Sequence, residues 1–284
     1  MPVTRMAGKL SHLKPLLDKC ILLGIEIVIV HDEQDSQTGD ELKDIVASAN
    51  SEMILLVTKA LFSPGKARNL GIEFSTGEWI CFWDSDDYPI AENFLEMVGQ
   101  AKVSGHKMAA GKFRQINGGV RKVYGNAESE VGRMPGIWRF AFKNDAIKGQ
   151  KFPKYRMGED QVFLARILIC AQGYFKYAGI VYEYSCENPG QLTKNRKAIS
   201  DLEFAIKDML QIITFPEIGT KVVPTFLSRQ ILTLLKMGTI RLKLRSIGFI
   251  AEGFRLSGKK FLLIFSREFF ASLNNQVNFR RNHR

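Results

Sequence analysis

The sequence is short of several features, and each shortage excludes something. It has four cysteines in 284 residues, Cys20, Cys81, Cys170 and Cys186, and no two fall in a C-x-x-C pair. That excludes a zinc-ribbon framework and argues for a reducing compartment rather than a disulfide-stapled secreted fold. Long apolar runs are missing too. Stretches such as Met53–Val57 and Phe261–Phe265 hold five residues, against about 20 needed to span a bilayer. The opening MPVTRMAGKL lacks the apolar core of a secretory signal. These absences lead us to expect a cytoplasmic chain, at most peripheral on the inner face of a membrane. Acidic residues are scarce in one region. From Lys221 onward there are 13 Lys/Arg and two acidic residues, Glu252 and Glu268, which leaves 27 basic and 27 acidic residues before it. The whole net charge of +11 therefore lies on the carboxy-terminal segment. Such a segment suits an anionic partner, a membrane surface or a nucleic acid.

What is present is ordinary globular composition, 45% hydrophobic and 24% charged. Helical and strand textures alternate over the first 110 residues. Helical spacing runs over 9–23, 38–49, about 64–77 and 90–103, with Pro89 near the last start. Between them lie the apolar strands IEIVIV (25–30), MILLV (53–57) and WICFW (79–83). Nearly continuous apolar strands alternating with helices predict a mostly parallel sheet covered on both faces, an α/β fold. The middle is less regular. Strands are expected over 107–115 and 119–124, a short helix over 160–171 and an edge strand over 177–184. Helices dominate from residue 200, over 202–213, 226–240, 247–256 and 261–273, with Pro216 and Pro224 as a boundary. We expect a catalytic domain over 1–200 and a helical, basic region over 201–284.

Three segments carry chemistry. In EWICFWDSDDYP an apolar strand ends in Asp84, Asp86 and Asp87. Ligands of open parallel sheets bind beyond the strands' carboxyl ends. Carboxylates spaced D-x-D there suit a hard divalent cation that keeps positions open for phosphate oxygens. The bland alternative is that Asp86 or Asp87 caps the next helix. Just upstream, SPGKARNLGIEFSTG places Lys66 and Arg68 where they could bind an anionic substrate, with Asn69 fixing the loop; solvated surface charge is the alternative. Downstream, RMGEDQVFLARIL puts Glu159 and Asp160 at the start of an amphipathic helix. There they serve either the helix dipole or a general base that takes a proton from an attacking hydroxyl.

Together these segments resemble family 2 glycosyltransferases of the GT-A fold. KARNLGIEFSTGEWICFWDSDD is similar to that family's ARN-to-DSDD signature. EIVIVHDEQDSQT looks like its EIIVVDDGS segment, and GED before an apolar helix looks like its ED motif. The resemblance covers roughly 2–195 and implies a GT-A-like, Rossmann-like mostly parallel sheet flanked by helices, with a helical basic extension. It implies an inverting transferase that moves a sugar from a nucleotide-diphosphate sugar to an acceptor hydroxyl, with Mg²⁺ or Mn²⁺ held by Asp86 with Asp84 or Asp87. The metal offsets leaving-group charge. Asp32 would contact the nucleobase, Arg68 and Asp84 would lie on the nucleotide, and Asp160 would be the base, with Glu159 beside the substrate. Trp138 falls where the family often places an acceptor-side aromatic, or else packs in the core. Lys194 and Arg196, in the segment after the last strand, could reach the diphosphate. The departures are specific. MPVTR stands where a full first strand is usual, which reads as a truncated start. His31 replaces the first Asp, and Glu33-Gln34 replace Gly-Ser.

The tail's IRLKLRSIGF and KKFLLIFSREFF alternate apolar stripes with cations, as interfacial helices do. That fits an acceptor saccharide, free or lipid-linked, in bacterial surface-polysaccharide or glycolipid assembly. The alternative is a packed helical subdomain. Three other readings compete: a nucleotidyltransferase, which would want a glycine-rich phosphate loop that is not seen; a nucleic-acid-binding protein acting through the basic tail; and a catalytically impaired GT-A-like scaffold. The tail's aromatics cluster with apolar residues rather than forming stacking platforms, so no nucleic acid is expected as partner.

Overall fold

The computed structural model describes residues 1–49, 51–61, 63–171, 173–186, 198–214 and 222–281, the last eight of these as backbone. The amino-terminal part alternates as its apolar pattern requires. β1 (Pro2–Val3) is followed by α1 (Leu13–Leu22), β2 (Ile27–Asp32), α2 (Ser36–Ala49), β3 (Ile54–Lys59) and α3 (Pro64–Phe74). β1, β2 and β3 form a three-stranded parallel sheet in that order. The residues of MPVTR do supply a strand: Pro2 pairs with Val30 and Val3 with His31. β2 is buried along almost its whole length, which is why it reads as a β-branched run without alternation. Val28 and Val30 pack with Leu61, Ala67 and Leu70, so α3 covers the sheet at β2.

The second sheet is mixed. It contains β4 (Trp79–Cys81), β5 (Tyr88–Pro89), β6 (Met108–Asn117), β7 (Val120–Tyr124), β8 (Phe140–Lys143) and β9 (Phe175–Ser185). Their order is β4-β8-β6-β9-β5, with β7 pairing onto β6. Helix α4 (Ala91–Val103) and the short α5 (Glu128–Arg133) and α6 (Asn144–Ile147) lie between these strands in sequence. Two expectations change here. WICFW does not extend the parallel sheet, because β4 pairs antiparallel with β8, Ile80 opposite Phe142. An apolar run looks the same in either direction, and β8 is a four-residue strand inside what read as irregular sequence. The strand near 177–184 is not an edge. β9 lies between β6, to which it runs parallel, and β5, to which it runs antiparallel. Gly111 permits that neighbour, since a Cβ there would lie 2.4 Å from Val181 Cγ1.

Helices α7 (Glu159–Cys170), α8 (Leu202–Ile212), α9 (Val222–Met237) and α10 (Ile240–Arg281) complete the chain. Pro224 sits in the first turn of α9 rather than before it, where a missing N–H costs nothing. α10 is broken at Gly258, whose φ of 61° and ψ of −150° leave the helical region. The two tail segments read from the sequence lie on either side of this break.

Contacts divide the chain into two units of interleaved sequence. One contains 1–126, 136–154 and 170–189; the other contains 127–135, 155–169 and 190–284. The expected boundary at residue 200 lies within the second. The first unit holds both sheets. The second is helical, with a core that includes Phe163, Ile206, Met209, Phe226, Leu234 and Phe261. Among the described residues no helix is long and apolar enough to cross a membrane.

Candidate active site

The site in the first unit is built around the turn after β4. Phe82 and Trp83 anchor it from below. Phe82 meets Phe152 edge-on at 5.0 Å, and Trp83 packs on Phe94 at 5.2 Å. With both rings buried, the chain must turn at Asp84, and the carboxylates emerge there.

Arg68 reaches this turn from α3. Ser63 caps that helix, its side chain accepting the Lys66 N–H at 3.2 Å, and Pro64 starts the first turn. The Arg68 side chain is 8% exposed, and its Nη2 donates to Asp84 Oδ1 at 2.9 Å. Its guanidinium also lies over the Phe152 ring, 5.6 Å from the centroid. Asn69 fixes the adjoining loop as its sequence position suggests. Its Nδ2 donates to the Phe152 carbonyl at 2.9 Å, and its Oδ1 accepts the Phe152 N–H at 2.8 Å. The ARN triplet thus holds a cation and an aromatic ring against the aspartate turn.

The three aspartates are not equivalent. Asp84 is part-exposed and engaged by Arg68. Asp86 is part-exposed on the turn itself. Asp87 is buried at 2% exposure. Its Oδ1 accepts the Ser185 N–H at 2.8 Å, and it hydrogen-bonds the Tyr182 hydroxyl. That hydroxyl also accepts the Asp84 N–H at 3.0 Å. Burial first, then the Asp84 carboxylate, push the Asp87 pKa up to about 8, against the lowering effect of the Ser185 hydrogen bond. Burial and the same carboxylates raise the Tyr182 phenol well above its ordinary value. His12 holds the turn from another side, its Nε2 2.8 Å from the Ser85 carbonyl.

Tyr182 and Ser185 were missed by sequence reasoning. Their signal was weak: the aromatic alternation of YEYS in a strand whose neighbours the sequence does not reveal. Trp138, in a short turn of 3-10 helix over Ile137–Arg139, lies behind them. It is 7% exposed and stacks on Tyr182 at 4.4 Å and Tyr184 at 5.3 Å. Phe113 meets it edge-on at 4.7 Å.

The other expected residues lie as follows. Asp32 ends β2 opposite Lys59 and is part-exposed; its Oδ1 accepts the Gln34 N–H at 3.4 Å. His31 points into the core, 2% exposed, with Nδ1 3.0 Å from the Val3 carbonyl. A Cβ on Gly39 would lie 2.8 Å from its Nε2, so glycine there makes room for the imidazole. Glu159 and Asp160 open α7 in the second unit. Glu159 is buried and Asp160 part-exposed, with its Oδ1 2.8 Å from the Gln161 N–H. Gly158, with φ of 84°, turns the chain into this helix; a Cβ there would meet Ala205 at 2.8 Å. Lys194 and Arg196 lie outside the described residues.

Among the described residues no three His, Cys, Asp or Glu side chains converge as a ready metal cage. Asp87, expected as a ligand alongside them, is turned inward and buried, so the donor chemistry that fits a cation is a pair, Asp86 with Asp84, the latter also carrying the Arg68 ion pair. Hard carboxylate oxygens on a tight turn suit Mg²⁺ or Mn²⁺ completed by phosphate oxygens and water.

The chain is similar to several known proteins. The family described as Glycosyl transferase family 2 matches residues 10–166. A poly(ribitol-phosphate) beta-glucosyltransferase of Bacillus spizizenii is 28% identical over 177 residues, covering 58% of this chain and 28% of that protein. The succinoglycan biosynthesis protein ExoO of Rhizobium meliloti is 25% identical over 170 residues, covering 51% of this chain and 48% of that protein. The chain thus spans less than half the length of these two relatives. Among solved structures, residues 1–349 of S. aureus TarS, in complex with UDP-GlcNAc, superpose with a TM-score of 0.65 at 15% identity, covering 95% of this chain and 90% of that one. The mannosyltransferase PcManGT of Pyrobaculum calidifontis, with GDP-Man and Mn²⁺, gives a TM-score of 0.58 at 11% identity, covering 94% of this chain and 84% of that one. These likenesses show a GT-A-like fold.

Proposed function

Since the chain belongs to glycosyl transferase family 2, we propose that it transfers a sugar from a nucleotide-diphosphate sugar to an acceptor hydroxyl with inversion, in the assembly of a bacterial surface polysaccharide or glycolipid. One observation carries this reading. Within the matched span, the ARN segment and the DSDD turn meet as an ion pair, Arg68 to Asp84 at 2.9 Å. A buried guanidinium and a cluster of carboxylates at a strand end form a site of mixed sign. It can take a diphosphate on its cationic part and a divalent cation on its acidic part. TarS with UDP-GlcNAc and PcManGT with GDP-Man support a donor of this class.

Asp84 and Asp86 would hold Mg²⁺ or Mn²⁺. When bound, the ion neutralises charge on the departing diphosphate. Arg68 supplies a fixed positive charge beside the same group, oriented by Asp84 and Phe152. Asp32, at the carboxyl end of β2, contacts the nucleobase. Asp87 is assigned a positioning role, tying the turn to β9 through Tyr182 and Ser185, with Trp138 as the platform beneath Tyr182. Asp160 takes the proton of the acceptor hydroxyl as its oxygen bonds to the anomeric carbon and the bond to the diphosphate breaks, with Glu159 at its side. Attack from the opposite face inverts the anomeric centre. Lys194 is assigned to the diphosphate. The basic helical region would hold the enzyme to an anionic membrane surface, where a lipid-linked saccharide acceptor is presented.

The test is turnover of a panel of nucleotide sugars by the purified protein with Mg²⁺, with Mn²⁺ and with chelator. Metal-dependent release of nucleoside diphosphate supports the reading. A folded protein that turns over none of them supports the impaired-scaffold alternative instead.

A further inference from the structure

The helical unit contains a cluster that the proposed reaction does not use. Glu268 of α10 is 2% exposed. Three arginines from three helices surround it. Arg133 Nε of α5 is 3.1 Å from its Oε1, Arg267 Nη2 of α10 is 3.3 Å from the same oxygen, and Arg229 Nη1 of α9 is 3.6 Å from Oε2. One carboxylate neutralises one of them, so the cluster carries a surplus of positive charge. The three arginine side chains are 43–45% exposed. These side chains are therefore part-exposed, Arg229 with its pKa lowered first of all by burial, while the carboxylate that gathers them stays beneath.

Beside this cluster runs a trough of about 420 Å³ whose described lining is Lys260, Leu263, Ile264 and Arg267. Lys260 and Arg267 are seven residues apart, two helical turns or about 10.5 Å along one face. They bracket an apolar floor. Leu263 and Phe270 continue that face outward, 71% and 63% exposed. The cations at the ends match a phosphate, and the apolar floor and edge match an acyl chain. A free inorganic anion would use the first and leave the second in water. A purely structural ion-pair network would need neither the surplus charge nor the trough.

We propose that Arg133, Arg229 and Arg267, with Lys260 and the Leu263–Ile264 trough, form a subsite for the phosphate headgroup and adjoining chain of an anionic phospholipid in a membrane interface. Leu263 and Phe270 form the edge that enters the lipid. The proposal rests on the reading of the basic region as membrane-facing, and it narrows that reading to one phosphate position.

The test is flotation of the full chain with phosphatidylcholine vesicles with and without phosphatidylglycerol. Three variants accompany it: Arg133→Gln/Lys260→Gln; Lys148→Gln/Lys151→Gln, which removes the same charge from the other unit; and Leu263→Ser. The wild type is expected to float with the anionic vesicles. The Arg133/Lys260 variant should lose about 30-fold in apparent affinity, as two basic groups at an anionic surface imply, while the Lys148/Lys151 variant stays within about twofold. Leu263→Ser, at an exposed position, should weaken binding several-fold even if the double variant folds poorly. A wild type that does not float overturns both the subsite and the membrane reading. A wild type that floats beside an Arg133/Lys260 variant equal to the Lys148/Lys151 control, or beside an unimpaired Leu263→Ser, overturns the subsite alone. Inorganic phosphate that binds the protein in solution, is lost in the Arg133/Lys260 variant and is unaffected by Leu263→Ser, beside a wild type that does not float, identifies a free-phosphate site and overturns the lipid assignment.

Discussion

Tyr182→Phe is a narrow perturbation of the aspartate turn. It removes one oxygen and keeps the ring, so the stack on Trp138 at 4.4 Å is preserved. The hydroxyl has two partners. It accepts the Asp84 N–H at 3.0 Å and hydrogen-bonds Asp87. Leaving the Asp84 N–H without this acceptor costs about 1–3 kcal/mol, and the hydrogen bond to Asp87, whose raised pKa keeps it largely neutral at pH 7, adds roughly 0.5–1.5 kcal/mol. Partial relaxation toward water brings the expected loss to about 1–4 kcal/mol, a sizeable share of the 5–15 kcal/mol typical of a folded domain. At roughly 2–4 °C per kcal/mol the melting temperature should fall by about 2–16 °C. Denaturant unfolding of Tyr182→Phe, Asp87→Asn and the double variant gives the coupling directly. The two single losses should fail to add by at least about 1 kcal/mol, because they remove the same contact. The KM for the donor should rise as well, since Asp84 loses its backbone tether. A loss below about 0.5 kcal/mol, or strict additivity of the pair, would refute the proposed tether between the turn and β9.

Three further outcomes are expected. Asp160→Asn should lower kcat by about 10²–10⁴-fold with the donor KM little changed, the signature of a lost general base; near-normal transfer by that variant removes Asp160 from the role. Gly111→Ala should destabilise by about 1–3 kcal/mol in urea titration, because its Cβ would sit 2.4 Å from Val181 Cγ1 in a packed sheet; unchanged stability contradicts the close β6–β9 approach. The Arg156 side chain donates to both oxygens of Asp201, at 2.9 and 3.1 Å, and this pairing first of all holds the Asp201 pKa below its ordinary value. A carboxylate depressed on folding contributes stability above its unfolded pKa of about 3.9 and loses it as pH falls through the folded value. Asp201→Asn should therefore lower the urea midpoint at neutral pH and leave it unchanged well below pH 3; an equal loss at both pH values contradicts the assignment.

The parts of the site that were legible in the sequence are those carried by contiguous residues. ARN and DSDD lie within 20 positions of each other, and the Ser63 cap, Pro64 and the buried WICFW strand fix where each emerges. The separate acidic roles were not legible. Spacing makes Asp84, Asp86 and Asp87 equivalent, whereas β9 singles out Asp87 by bringing Tyr182 and Ser185 to it from almost 100 residues away. β1 had read only as a truncated start, whereas the parallel pairing of β2 with β3 followed from buried apolar runs between helices. The placement of β4 and β9 did not, since apolar content does not encode strand direction or neighbours. The division into units was hidden for a similar reason. α5 joins the carboxy-terminal helices because Gly132 lets Thr225 of α9 approach, a contact across more than 90 residues. In the tail, by contrast, Gly258 marks the break in α10 where the sequence pattern already separated two helical segments.

In the proposed reaction Asp86 and Asp84 would hold the metal through which a nucleotide-diphosphate sugar is bound for transfer. The most direct measurement is donor turnover by wild type and Asp86→Asn across a Mn²⁺ titration, with folding checked by melting temperature. Metal-dependent turnover is expected in the wild type, and in Asp86→Asn a loss of at least about 100-fold that added Mn²⁺ does not restore. Metal-dependent turnover that survives intact in Asp86→Asn would contradict it.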